Sequence, residues 1–195
     1  MKQNVIDQIS ERTEIIEVFR KACAIEVTKL AEVIISTFSN GGKLLICGNG
    51  GSAADSQHLA AEFVSSFSLG LKRKSLPALS LTVDTSVISA IANDFGYEMV
   101  FSRQVEGLGV PGDALLLIST SGQSKNCLLA LEVAKRKGLR SLALTAKDSE
   151  LYKSVDFAVG VPSRNTQFIQ ECHVITYHII ANLVDQFFIE ELTNE

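Results

Sequence analysis

His58 and Glu62 stand four residues apart in a stretch that reads as a helix, so imidazole and carboxylate share one face. Together they can grip a single divalent metal, though the same spacing also makes an ordinary surface pair. A later stretch carries Gln170, Glu171, His173 and His178 among Val174, Ile175, Ile179, Ile180 and Val184. That pattern is a core helix, and it sets His178 among buried neighbours. An imidazole there is more often a structural hydrogen-bonding group than a catalyst. Two histidines in one apolar helix move the balance toward function. Gln170 and His178 are separated by roughly 12 Å along a helix. They meet one ion only if both side chains lean inward, if the helix starts late, or if different subunits supply them.

Two loops suit an anionic ligand. Ser119-Thr120-Ser121-Gly122-Gln123-Ser124 places four hydroxyls and a glycine directly before a helix. Free amides and the helix dipole favour an anion there, and phosphate is the natural guest. One serine would cap the helix in any case, but four hydroxyls in six residues exceed what capping needs. The second loop is Gly48-Asn49-Gly50-Gly51-Ser52. Its glycines admit a ligand close to the backbone, although Asn-Gly is also a common turn dipeptide. Asn49 is placed to meet substrate hydroxyls.

The elements that position these residues follow from apolar spacing. The region from Val5 to Asn40 reads as two helices ended by Gly41-Gly42. Strands are expected at Lys43–Cys47, Ala78–Thr82, Asp113–Ile118, Ser141–Thr145 and Asp156–Val161. Helices are expected at Ala53–Ser66, as two short pieces over Thr85–Gly107, at Ser124–Lys137 with Gly138 as C-cap, and at Thr166–Ile189. Continuous apolar strands alternating with helices imply a parallel sheet covered on both faces. Ligands then bind at the carboxyl ends of strands, here the first and third. The runs Lys72-Arg73-Lys74 and Lys135-Arg136-Lys137 read as solvated faces, the second favoured by its helix C-terminus.

The 195 residues suit one domain, and 46% hydrophobic with 21% charged residues is globular composition. A net charge of −4 does not suit a general nucleic-acid binder. No apolar run is long enough to span a bilayer, and the acidic, polar N-terminal stretch is unlike a signal peptide. A cytoplasmic protein is expected. Cys23, Cys47, Cys127 and Cys172 are scattered, as reduced thiols would be.

Four segments carry a family likeness: GNGGSAADSQHLAAEF (48–63), AIANDFGYE (90–98), ISTSGQS (118–124) and IQECHVITYH (169–178). In order and spacing they resemble the phosphoheptose isomerases of the sugar isomerase (SIS) fold. The resemblance implies a single SIS domain over 1–195, of three-layer α/β/α, flavodoxin-like type. A five-stranded parallel sheet and an N-terminal helical segment, residues 1–40, for oligomerisation belong to it. It implies a homotetramer with sites at subunit interfaces. The implied reaction converts sedoheptulose 7-phosphate to D-glycero-D-manno-heptose 7-phosphate, for bacterial lipopolysaccharide or capsule precursors.

Residue by residue, the likeness makes Glu62 and His178 the acid/base pair. It makes His58, Glu62, Gln170 and His178 ligands of one zinc ion per subunit. Ser119, Thr120, Ser121 and Ser124 would hold the phosphate. Asn49, Gly50, Gly51, Glu62, Asn93, Asp94 and Gln170 would contact the sugar. An enediol mechanism needs a base at carbon and an acid at oxygen, which these residue types supply. Relatives often carry Gly-Arg where this chain has Ser65-Ser66, and Arg where it has Phe168. Lys72, Arg73 or Arg164 are candidates to replace those cations. The competing readings are a non-catalytic SIS module that binds a sugar phosphate or the replication initiator protein, and an isomerase of another ketose phosphate.

Overall fold

The structure, a computed structural model, describes residues 1–67 and 73–194. Where two N-terminal helices were expected there is one, α1 (Lys2–Ser39). The reason is local: no glycine or proline interrupts those 38 residues. Its buried side chains run from Phe19 to Phe38, and no residue before Phe19 is buried. It ends where expected, with Gly41 at φ +77°.

The remaining elements are β1 (Leu44–Gly48), α2 (Gly51–Val64), β2 (Ala78–Ser80), α3 (Thr85–Phe95), α4 (Ser102–Leu108), β3 (Ala114–Ser119), α5 (Lys125–Lys137), β4 (Arg140–Ala146), α6 (Glu150–Ser154), β5 (Phe157–Val161) and α7 (Thr166–Asn194). A 3-10 turn, Tyr97–Met99, separates α3 from α4. The short α6 escaped the sequence reading because five residues carry no helical period. It is capped by Ser149, whose hydroxyl accepts from the Tyr152 amide. Helix α5 stops at Gly138 in the left-handed conformation, with Lys135 and Arg136 exposed in its last turn as expected.

All five strands are parallel in the order β2-β1-β3-β4-β5. Alternate strand residues divide the core. Leu44, Ile46, Leu116 and Leu144 face α1, α2 and α7. Leu45, Cys47, Leu117 and Ala143 face α4 and α5, with Leu151 of α6 and partly buried Ile88 and Ile91 of α3. This is the α/β/α sandwich that the strand pattern predicts. The order of strands reverses between β1 and β3, where Gly48 pairs with Ile118. The two candidate loops therefore leave the sheet side by side.

All four cysteines are free and buried. Among the described residues no helix is long and apolar enough to cross a membrane. One expectation fails. Arg73 is buried and its guanidinium pairs with Asp185 at 2.6 Å, with neither side chain exposed. It belongs to no solvated face. Lys72 lies outside the described residues.

Candidate active site

The loop after β3 folds on its own hydroxyls. Gly122 sits at φ +62°, and a Cβ there would collide with the hydroxyls of Thr145 and Ser149, so only glycine fits. The Gly122 amide donates to Ser119 Oγ at 3.1 Å, and the Gln123 amide to Ser121 Oγ at 3.2 Å. Ser124 occupies the N-cap of α5 but makes no side-chain cap bond. Its hydroxyl lies 3.2 Å from that of Ser119 instead. Capping therefore does not account for this serine. Thr120 and Ser121 reach the surface of the same loop.

Asn49, from the loop after β1, pairs its amide reciprocally with Asn126 at 2.9 and 2.8 Å. Asn126 is the second residue of α5, so this pair locks the two loops together. The Tyr97 hydroxyl also donates to Asn49 Oδ1, at 2.9 Å. Gly50 is the N-cap of α2. A side chain at Gly51 would strike the amide of Gln170, so glycine lets α7 approach the start of α2.

Gln170 uses its amide nitrogen on Asp55 Oδ2, at 3.1 Å, leaving Oε1 for another partner. Burial pushes the Asp55 carboxyl above the ordinary carboxylate range, against the pull of Gln170, His58 and Tyr177. The Tyr177 hydroxyl lies 3.1 Å from His58 Nδ1. Burial, with Asp55 beside it, pushes the Tyr177 phenol up to about 12, so it stays a neutral hydroxyl. His58 Nε2 lies 3.0 Å from Glu62 Oε1. The His178 ring packs edge-on against His58, with centroids 5.0 Å apart, and against Tyr177 at 4.8 Å. His178 is half-buried; the fully buried histidine is His173. Because α7 begins at Thr166, Gln170 and His178 lie on one unbroken helix and the late-start route is closed.

Glu62 and His178 thus both meet His58, between α2 and α7, while Gln170 meets Asp55 nearer the start of α2. Asn93 and Asp94 are not drawn into this group. They are exposed at the end of α3 and bond each other at 2.7 Å, and among the described residues neither bonds another expected site residue. Two imidazoles, a carboxylate and an amide oxygen suit zinc chemically. Tyr177 on Nδ1 of His58 leaves Nε2 as the nitrogen for a metal, and Asp55 on the Gln170 nitrogen leaves the oxygen. Among the described residues no three of His, Cys, Asp and Glu, His58, Glu62 and His178 included, are placed to hold a metal ion together.

Residues 9–146 match the family model described as SIS domain. A phosphoheptose isomerase of Roseiflexus sp. (strain RS-1) is 46% identical over 188 residues, 96% of this chain and 94% of the relative. The chain belongs to the phosphoheptose isomerase family. A phosphoheptose isomerase of Helicobacter pylori (strain Shi470) is 52% identical over 157 residues, 80% of this chain and 81% of the relative. The solved phosphoheptose isomerase of Neisseria gonorrhoeae superposes with a TM-score of 0.88 at 36% identity, covering 95% of this chain and 98% of that one. The chain is accordingly an isomerase by family.

The two departures from the family pattern now have surroundings. Ser66 donates to Asp185 Oδ2 at 3.2 Å. The Arg12 guanidinium lies over the Phe168 ring, 5.3 Å from its centroid, and its Nε donates to Glu171 at 2.9 Å. Arg73 is committed to Asp185 and backbone carbonyls, which removes it as a replacement cation. Arg164 is exposed just before α7. Asp55, Tyr177, Asn126, Tyr97 and Arg12 were not singled out from sequence. Asp55 stands three residues before His58, and that spacing was the available signal for it. Nothing local marks the other four.

Proposed function

We propose that this chain interconverts sedoheptulose 7-phosphate and D-glycero-D-manno-heptose 7-phosphate through an enediol. The observation that carries the reading is the run of contacts from Asp55 through Tyr177 and His58 to Glu62, with His178 against the same imidazole. It sets the Glu62 carboxylate on α2 and the His178 imidazole on α7, both against His58. Glu62 takes the proton from carbon, and His178 moves the proton between the two oxygens. Ser119, Thr120, Ser121 and Ser124 hold the phosphate at the N-terminus of α5. Asn49, Gly50, Gly51 and Gln170 line the sugar, with Asn93 and Asp94 joining them once substrate is bound.

One zinc ion per subunit belongs to the same proposal, held by His58, Glu62, Gln170 and His178. When bound it would polarise the substrate carbonyl. A homotetramer with sites at subunit interfaces is the assembly proposed. In its support, an apolar groove of about 380 Å³ between α1 and α7, lined by Ile16, Phe19, Val27, Ile175, Ile179 and Leu183, is uncovered in one chain. The product would feed bacterial heptose precursors in the cytoplasm.

The test is turnover of purified protein on sedoheptulose 7-phosphate beside a panel of ketose phosphates, with zinc and with chelator. The seven-carbon ketose should be the best substrate. A different best substrate would replace it, and the surroundings of Ser66 and Phe168 motivate that arm. No turnover on any ketose phosphate would sink the catalytic reading in favour of a sugar-phosphate-binding module. Turnover unchanged by chelator would remove zinc from the proposal.

A further inference from the structure

Arg73 and Asp185 form a fully buried ion pair outside the group of His58, Glu62 and His178. Arg73 Nε donates to Asp185 Oδ1 at 2.6 Å. Its Nη2 donates to the carbonyl of Glu62 at 2.8 Å, and its Nη1 to the carbonyls of Phe63 at 2.8 Å and Lys74 at 3.0 Å. Asp185 in turn accepts from Ser66 Oγ and from the Phe67 amide, at 3.2 and 2.9 Å. Glu62 and Phe63 lie in the last turn of α2, where carbonyls lack partners within the helix. A guanidinium there satisfies them and sits at the negative end of the helix dipole. Asp185 lies seven residues, two turns, beyond His178 on α7, so both fall on one side of that helix.

A buried ion pair is a poor device for stability alone, because apolar residues of similar volume often serve as well. What it adds here is direction. The planar fork of Arg73 fixes the backbone of Glu62 and the helix of His178 to one rigid group. We propose that Arg73, paired with Asp185, is a positioning residue that sets the placement of Glu62 relative to His178. The inference rests on the acid/base reading of those two residues. A misplacement of about 1 Å at reacting groups can cost on the order of 100-fold in rate.

The experiment compares Arg73→Lys, the double variant Arg73→Met/Asp185→Leu, and Leu30→Ala as a destabilised control in the core of α1. Turnover is measured on sedoheptulose 7-phosphate, and imidazole signals by NMR. With three histidines in the chain, three signals report the site and the core separately. Arg73→Lys is expected to stay folded and lose about 10- to 100-fold in kcat, with KM changed less than about threefold. The signals of His58 and His178 should move while that of His173 stays. Leu30→Ala should lower the melting temperature and leave kcat per folded molecule and all three signals in place. Should Arg73→Lys not fold, the double variant is judged on the same measures, since it restores apolar packing without the fork. Wild-type kcat and signals in the folded variant overturn the proposal, as does a loss of kcat that only follows the folded fraction. If wild type turns over no sedoheptulose 7-phosphate, the functional reading falls separately. The imidazole signals then decide the positioning claim: moved signals support it and unmoved signals overturn it.

Discussion

The Tyr177 hydroxyl lies 3.1 Å from Nδ1 of His58, while Nε2 of the same ring faces Glu62 at 3.0 Å. Both nitrogens of one imidazole are therefore engaged, one by a buried phenol and the other by the proposed base. Removing the phenol frees the ring to turn. Tyr177→Phe should keep the fold and lower kcat about 10- to 100-fold, the range seen when a partner orienting an active-site histidine is lost. Steady-state kinetics with a thermal melt checks this, and an unchanged kcat would show that the ring needs no such restraint.

Glu62→Gln and His178→Gln each keep size and hydrogen-bonding capacity while removing a proton carrier. Each should cost at least about 100-fold in kcat, the usual scale for a general acid or base. Binding of inorganic phosphate, measured by calorimetry, should survive in both variants because the serine loop is untouched. Near-wild-type turnover in either would remove that residue from the mechanism.

Ser124 and Ser149 make a paired test of the serine loop. Ser149 caps α6, and Ser149→Ala should destabilise by about 1 kcal/mol. Ser124 caps nothing, so Ser124→Ala should change stability by less than about 0.5 kcal/mol. Its effect should instead be a raised KM and weaker inhibition by inorganic phosphate. Denaturant melts and inhibition curves measure the two arms. The reverse pattern would make Ser124 a cap and remove it from phosphate binding.

His173 gives a pH dependence with a definite sign. It is fully buried, and among the described residues neither ring nitrogen has a hydrogen bond of ordinary geometry, although the backbone of Thr145 is close. Burial lowers its pKa from 6.5 to about 4. Between those values the unfolded chain binds the proton and the folded chain does not, so stability falls as pH drops through that window. Above pH 6.5 this contribution is fully present. The loss is on the order of 3 kcal/mol at most. His173→Leu should fold stably near neutral pH and lose less stability than wild type on acidification, read from urea midpoints at both ends of the window. Equal losses in the two proteins would show that other groups control the acid response.

The sequence alone determined whatever is decided within a few residues. Apolar runs and helical spacing placed the five strands and the helices that carry the site. Glycine-rich and serine-rich loops marked the carboxyl ends of β1 and β3, and the i to i+4 rule put His58 and Glu62 on one face. These are local consequences of backbone geometry. The absence of glycine and proline from Lys2 to Ser39 also favoured one helix over the two inferred from the apolar pattern. Only the tertiary structure decided what meets across the layers. Tyr177 reaches His58 over 119 residues of chain, and Asp185 reaches Arg73 over 112. Such pairings depend on how α2 and α7 pack together, which no local pattern encodes. The same holds for solvation. Lys72-Arg73-Lys74 reads as a charged surface run, but α2 ends beside a buried carboxylate of α7, and burial with a partner costs less than leaving that carboxylate alone.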